Sequence, residues 1–253
     1  MYKRQCDTRK LEEYNDIDVG NKTYGGHEVL VIFDHVFVPN DRIFLNGEVQ
    51  FAGMIVERFA GFHRQSYGGC KVGVGDVLIG ATQLAVEMAG AAKASHVKDK
   101  IIEMTHLNET LYACGIACSS QGSATKSGGY LIDLLLANVC KQNVTRFPYE
   151  IARLAQDLAG GLMVTQPSEA DYRNPVTHDY IVKYLKGVDS VATEDRMRVL
   201  RLIENITMGT AAVGYLPEYM LGAGSTQAQR IMISRQSNME MKKTLAKAIA
   251  RID

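Results

Sequence analysis

The sequence predicts a mainly α fold, a helical bundle preceded by the end of a β-domain. Seven stretches between residues 51 and 252 space their apolar residues as helices do and have recognisable ends. β-Branched and aromatic runs, by contrast, are confined to the first fifty residues. With 46% hydrophobic and 22% charged residues over 253 positions, the chain can bury a core in one large domain or two modest ones.

In chain order, Val29 to Phe33 and Val36 to Val38 form two short runs that end at Pro39 and read as strands. Helical spacing begins after Asn40 and Asp41. Residues 51–65 carry Met54, Ile55, Phe59 and Phe62, with Glu57 and Arg58 between them, and the pattern stops near Gly68 and Gly69. Further helices are expected at about 75–94, 96–119, 127–140, 148–159, 194–214 and 226–252. Pro148 suits a first helical position, Gly160 a helix end, and Lys242, Lys243, Lys247 and Arg251 the negative pole of the last helix. Residues 167–193, with Pro175 and Gly187, read as a long loop. This divides the chain into a β-domain remnant at 1–48 and a helical domain at 49–253. Two strands alone do not make a stable sheet, so the chain is expected to be truncated or to complete its sheet with another polypeptide.

Charge narrows the function classes. Twenty-eight Lys and Arg balance 28 Asp and Glu, and no basic run stands out, so neither nucleic acid nor an anionic membrane is an expected partner. The most apolar stretch, Val77 to Ala94, is broken by Gln83 and Glu87 and reads as a buried helix. The N-terminus shows charge where a signal peptide would show an apolar core. Five cysteines argue against a disulfide scaffold and for a reducing cytoplasm.

The densest reactive cluster is His63-Arg64-Gln65-Ser66-Tyr67-Gly68-Gly69-Cys70-Lys71. An imidazole and a thiolate seven positions apart can meet at one metal if the backbone turns at the glycines, with Tyr67 as a weak acid and Lys71 as a cation beside them. A helix end followed by a buried cysteine explains the same residues. Cys114 and Cys118, four apart, could clamp a metal, but they also continue the apolar stripe Val97, Ile101, Met104, Leu111. Gln156-Asp157-Leu158-Ala159-Gly160-Gly161 could bond a nucleotide and admit its pyrophosphate, or could be a glycine helix stop. Leu221-Gly222-Ala223-Gly224-Ser225 precedes a helix that could receive an anion, and glycine caps explain it equally well.

Five segments then carry a specific resemblance: HRQSYGGCKVGVGDVLIGA (63–81), AAKASHVKDKIIEMTHLNETLY (91–112), LLLANVCKQNVTRFPYEIARLAQDLAGGLMVT (134–165), GAGSTQAQRIMI (222–233) and, more distantly, FDHVFVPNDRIF (33–44). The first four resemble, in order, the C-terminal half of the 4-hydroxybutyryl-CoA dehydratases, which are also vinylacetyl-CoA isomerases. The fifth is similar to the strand-to-bundle junction of acyl-CoA dehydrogenases and flavin-dependent 4-hydroxyphenylacetate hydroxylases. The resemblance implies an acyl-CoA dehydrogenase-like bundle, FAD at a subunit interface, a [4Fe-4S] cluster, a CoA-thioester substrate, and assembly as a homotetramer or with the N-terminal half.

Carried over by position, the resemblance makes His63 and Cys70 cluster ligands, Tyr67 the catalytic tyrosine and Lys71 the lysine beside the cluster. Glu28 and Glu218 become the active-site glutamates, and Gln156, Asp157, Gly160 and Gly161 the flavin-contacting turn. It also implies a C-x-x-x-C pair in an N-terminal half that is absent here; Cys114 and Cys118 copy that spacing in a different segment. The implied chemistry is loss of water from 4-hydroxybutyryl-CoA, whose β-hydrogen is not acidic until a flavin removes one electron. In it His63 would take the α-proton after loosening from iron, iron would act as Lewis acid for the leaving hydroxyl, Tyr67 would donate near that hydroxyl, and Glu218 with Lys71 would hold the polar network. A flavin-dependent hydroxylase component and a catalytically silent fragment are the competing readings.

Overall fold

A computed structural model describes residues 17–18 and 30–253. Its axis is one long helix, α1 (Ala52–Met88), where the sequence pattern suggested two helices separated at Gly68 and Gly69. Seven glycines lie in α1, so intrinsic propensity does not account for its continuity. Packing does. Its buried positions recur at 60, 61, 64, 67, 68, 71, 72, 75 and 78, one stripe facing the bundle. At the centre of that stripe α1 crosses α2 (Ser95–Ser120) through glycine: a Cβ on Gly68 would stand 2.5 Å from the Cα of Gly115. The glycine pair marks a backbone-to-backbone crossing and not a helix end.

Helices α3 (Leu134–Val144), α4 (Phe147–Ala159) and α8 (Thr193–Thr207) complete the layer around α1. Leu78, Met104, Leu111, Ile151, Ala155, Leu200 and Ile203 meet there in the main core. The segment Val49–Met88 is long and apolar enough to cross a membrane by length and composition, and here it is packed by four helices. Pro148 sits in the first turn of α4 and Gly160 ends that helix at φ 70°, as their sequence positions suggested.

Elsewhere local signals overrode the broad pattern. Residues 30–39 form no strand and are largely exposed; among the described residues no strand lies beside them, and an extended run without a ladder leaves its backbone to solvent. The helix expected from 127 begins at Leu134, because the Asp133 side chain caps it by accepting the Leu136 N–H at 2.7 Å. Ahead of it a small antiparallel pair, β1 (Ser123–Ala124) with β2 (Tyr130–Leu131), turns at Gly128, φ 82°. The 167–193 loop contains α6 (Glu169–Arg173), opened by a Ser168/Asp171 capping box, and α7 (His178–Tyr184); α5 (Leu162–Thr165) precedes them.

The helix expected over 194–214 breaks after Thr207, where Glu204 O accepts from the N–H groups of both Met208 and Gly209, and α9 (Thr210–Tyr215) follows. Pro217 then starts the short α10 (Pro217–Leu221). The last predicted helix is likewise two, α11 (Thr226–Gln236) and α12 (Met239–Ala250), because Asn238 starts a new one by accepting the Met241 N–H.

Candidate functional site

His63, Tyr67, Cys70 and Lys71 lie at positions i, i+4, i+7 and i+8 of α1 and therefore share one side of it. Tyr67 and Lys71 are buried, His63 is half-buried and Cys70 is exposed. The Tyr67 hydroxyl is 3.2 Å from His63 Nε2. Lys71 donates to Glu218 Oε2 at 3.4 Å, and its ammonium lies 2.7 Å from the centroid of the Tyr219 ring. Tyr219 stacks on Tyr67 with centroids 6.0 Å apart, and Tyr215 meets Tyr219 edge-on. The structure thus brings His63, Tyr67, Lys71 and Glu218 into one network across 147 residues of sequence.

Three further residues belong to this network: Arg64 and Gly222, to which the sequence reading gave no role at this site, and Lys141, which it did not single out. Arg64 sends Nη1 to Asn138 Oδ1 at 2.7 Å and both Nε and Nη2 to Ala223 O at 3.0 Å. Lys141, on α3, donates to the carbonyl oxygens of Tyr219 and Met220 and lies 4.4 Å from the Tyr67 ring centroid. Gly222 fits against both the tyrosine and the glutamate: a Cβ there would stand 2.5 Å from the Tyr67 hydroxyl and 3.2 Å from Glu218 Oε1. One signal could have found Lys141. It shares the buried face of α3 with Ala137, Cys140 and Val144, where a lysine is rare unless paired.

The electrostatics favour a neutral imidazole. Burial lowers the His63 pKa; Glu218 opposes this, while Lys141, Lys71 and Arg64 add to it. A neutral ring can offer a lone pair to a metal or to a proton. Although Cys70 is exposed as a residue, partial desolvation of its thiol raises the pKa and Lys71 pulls it back, so ligation there would have to displace a proton.

The expected backbone turn between His63 and Cys70 does not occur. The two residues are separated by about 10.5 Å of helical rise, and both Cα–Cβ bonds tilt the same way, toward the N-terminus, so the tilt does not close that gap. That spacing excludes a single shared ion and suits a group several ångströms across. Among the described residues no group of three or more His, Cys, Asp or Glu side chains is placed to hold a metal ion. The donor types fit two corners of an iron–sulfur cluster, and the described residues do not complete one.

Cys118 and Cys140 are fully buried, with Ile132, Ala137 and half-buried Cys114, in a small apolar cluster, and burial pushes the Cys118 thiol up to about 12. These thiols are core residues. Glu28 lies outside the described residues.

The second candidate set is placed elsewhere. Gln156 donates to Thr207 O at 3.4 Å, and Asp157 pairs with Lys100 at 2.5 Å. A Cβ on Gly160 or Gly161 would meet nothing within 4 Å, so this turn has the room that close approach of a flavin needs. In the 221–225 loop Ala223 and Gly224 are left-handed (φ 59° and 96°), Ser225 caps α11, and Ala223 O is engaged by Arg64. This loop serves the α1 network.

A profile of the 4-hydroxyphenylacetate 3-hydroxylase C-terminal family (HpaB) matches residues 52–251. Over the whole chain the sequence is 66% identical to the 4-hydroxybutyryl-CoA dehydratase/vinylacetyl-CoA-Delta-isomerase of Clostridium aminobutyricum, of which it covers 53%. It is 23% identical over 183 residues to the 4-hydroxyphenylacetate 3-monooxygenase oxygenase component of Thermus thermophilus, covering 72% of this chain and 38% of that one. The structure superposes on an oxygen-tolerant archaeal 4-hydroxybutyryl-CoA dehydratase from N. maritimus with a TM-score of 0.94 and 59% identity, over the whole of this chain and half of that one.

The oxygenase component HpaB of 4-hydroxyphenylacetate 3-monooxygenase, complexed with FAD, superposes with a TM-score of 0.80 at 22% identity, over 88% of this chain and 47% of that one. The chain spans about half the length of the relatives at 66% and 59% identity. These likenesses bear out the expected mainly α, acyl-CoA dehydrogenase-like bundle, and the match over residues 52–251 shows that the chain belongs to the 4-hydroxyphenylacetate 3-hydroxylase C-terminal family.

Proposed function

We propose that this chain is the C-terminal part of an enzyme that dehydrates 4-hydroxybutyryl-CoA to crotonyl-CoA and isomerises vinylacetyl-CoA, with FAD and a [4Fe-4S] cluster as cofactors. One observation carries the reading. His63, Tyr67, Lys71 and Glu218 converge on a single network in a chain that keeps 66% identity along its whole length with an enzyme of that name. The hydroxylase alternative rests on relatives between 22% and 25% identical, and such an enzyme has no use for a His/Cys pair.

When bound, the flavin would supply one-electron chemistry and the cluster Lewis acidity for the leaving hydroxyl. His63 and Cys70 would hold two corners of the cluster, with its other ligands from outside the described residues, and the open Gly160–Gly161 turn, with Gln156 and Asp157, would contact the flavin. The chain's own side chains manage protons. Tyr67 holds one at its hydroxyl, 3.2 Å from an imidazole that is neutral and able to accept one. Lys71 fixes the Glu218 carboxylate, and by resemblance Glu218 and Glu28 would be the active-site glutamates.

Exposed Phe33, Phe37, Phe44 and Phe59, with Leu245 and Ile249 on α12, support assembly with further polypeptide, namely other copies and the N-terminal half. The test is anaerobic reconstitution with iron, sulfide and FAD, with and without the N-terminal half of the 66%-identical relative, read by EPR and by crotonyl-CoA formation. Cluster and turnover are expected only with the added half. Full cofactor loading without turnover would refute the assignment.

A further inference from the structure

Among the described residues, Lys141 is the one charged side chain with no solvent exposure. Burial lowers its pKa to about 8, with Glu218 acting in the opposite direction. What its ammonium grips is informative. Helix α10 has five residues, too few to persist unaided. It is entered through Leu216 at φ −111°, ψ −80° and left through Gly222. Its C-terminal carbonyls need donors that the helix cannot supply. Lys141, from α3, supplies them at Tyr219 and Met220; Arg64, from α1, supplies two more to Ala223 O. The segment between them bears Glu218, whose carboxylate meets Lys71, and Tyr219, whose ring stacks on Tyr67. Lys141 also covers the Tyr67 ring at 4.4 Å.

We propose that Lys141 is a positioning residue, which sets Glu218 and the Tyr67 ring in register by holding the carbonyls of residues 219 and 220 without itself touching reacting atoms. Removing it should unfasten α10 and leave the bundle intact. Arg64 keeps its grip on Ala223, so the loosening should centre on 217–221. For the catalytic consequence the proposal rests on the function proposed above; for the structural one it does not.

The structural arm uses the 253-residue chain and its Lys141→Met variant, compared by hydrogen exchange and thermal unfolding. Exchange across residues 217–221 should rise about tenfold or more, as expected on losing hydrogen bonds to a charged group. The amides of α1 and α8 should stay protected and the melting temperature should not fall, since an apolar side chain of similar volume commonly replaces a buried charge without loss. Unchanged exchange at 217–221, or a uniform rise through the bundle, overturns the proposal.

The catalytic arm uses the chain completed with the N-terminal half of its relative. Lys141→Met should lower kcat roughly ten- to hundredfold while leaving KM within about threefold, the signature of misplaced groups rather than lost binding. In a Glu218→Gln background the same substitution should add little, because its target is already gone. A full additive loss in that background overturns the proposal. Absence of wild-type turnover would instead refute the proposed function, and the exchange result would then decide the positioning role by itself.

Discussion

Gly68 and Gly69 are adjacent, both helical, and should respond to alanine with opposite signs. A Cβ on Gly68 would stand 2.5 Å from Gly115 Cα, 2.9 Å from Gly115 N and 3.1 Å from Leu111 O, all main-chain atoms that no rotamer change can move. Restoring an ordinary carbon–carbon separation of about 3.5–4.0 Å requires α1 and α2 to part by roughly 1 Å. Overpacking of this kind costs about 1–3 kcal/mol, and the upper end applies where backbone meets backbone. Better helix propensity returns close to 1 kcal/mol.

Gly68→Ala should therefore lose about 2 kcal/mol, which for a chain of this size lowers Tm by roughly 4–8 °C. At Gly69 a Cβ meets nothing within 4 Å, so Gly69→Ala should gain about 0.5–1 kcal/mol. Thermal and urea unfolding followed by circular dichroism at the helix band measure both. If Gly68→Ala is as stable as Gly69→Ala, the glycine crossing does not limit the approach of these helices, and the account of α1 as one continuous packed helix loses its main support.

Three further outcomes follow from the site and its supports. In the completed enzyme Tyr67→Phe removes the hydroxyl 3.2 Å from His63 Nε2 and should cut dehydration by on the order of 10²-fold or more with iron and flavin contents intact; loss of iron alongside activity would make the residue structural. The double variant Cys114→Ala, Cys118→Ala should fold with at most a few kcal/mol of destabilisation and keep its iron, because Cys118 belongs to an apolar cluster; iron loss without unfolding would return these thiols to candidacy as ligands.

At Glu169, burial raises the carboxyl pKa, but the Ile17 N–H and the Arg173 guanidinium outweigh it and the net value is lowered. Its contribution to holding Ile17 and Asp18 on the bundle is present above the ordinary carboxylate range and lost as pH falls through the lowered value. Limited proteolysis should therefore cut near residue 17 only in acid, whereas Glu169→Gln should expose the same site at neutral pH; identical cleavage of both proteins at every pH would show that the carboxylate does not hold this segment.

The parts of the fold legible in the sequence are those where periodicity and punctuation agree. Residues 148–159 show a proline at the start, an amphipathic stripe and a terminal glycine, and α4 runs from Phe147 to Ala159. Gly68 and Gly69 were misread because a glycine that ends a helix and a glycine that lets two helices touch look alike until the partner, Gly115, is known. Asn238 and Asp133 were legible in principle as caps, but their flanking residues continue a helical pattern, so periodicity masked the breaks.

At the site, His63, Tyr67 and Lys71 announce themselves by spacing on one helix, whereas the link from Lys71 to Glu218 spans 147 residues and has no local signature. The resemblance supplied Glu218. Lys141 was legible only as a lysine on a buried helical stripe, and Arg64, although inside the reactive cluster, gave no local sign of its partner Ala223, because basic residues beside apolar runs usually reach solvent.

The polar groups of α1 lie within its buried stripe, and this explains why the α10 loop is bound to them. Arg64, Tyr67 and Lys71 interrupt Ala60, Gly61, Val72 and Gly75 on the face that meets the bundle. Cations placed there need partners that stay put, since breaking one side of a buried polar pairing strands the other. Here the stationary partners are main-chain carbonyls and aromatic faces: Ala223 O for Arg64, the ring of Tyr219 together with Glu218 for Lys71, and the carbonyls of Tyr219 and Met220 for Lys141. The loop, whose Tyr219 also belongs to the main core, is thereby held by the same side chains that shape the candidate site. Substitutions at Glu218 or Gly222 should consequently act on the environment of Tyr67 and Lys71 before they act on the stability of the core.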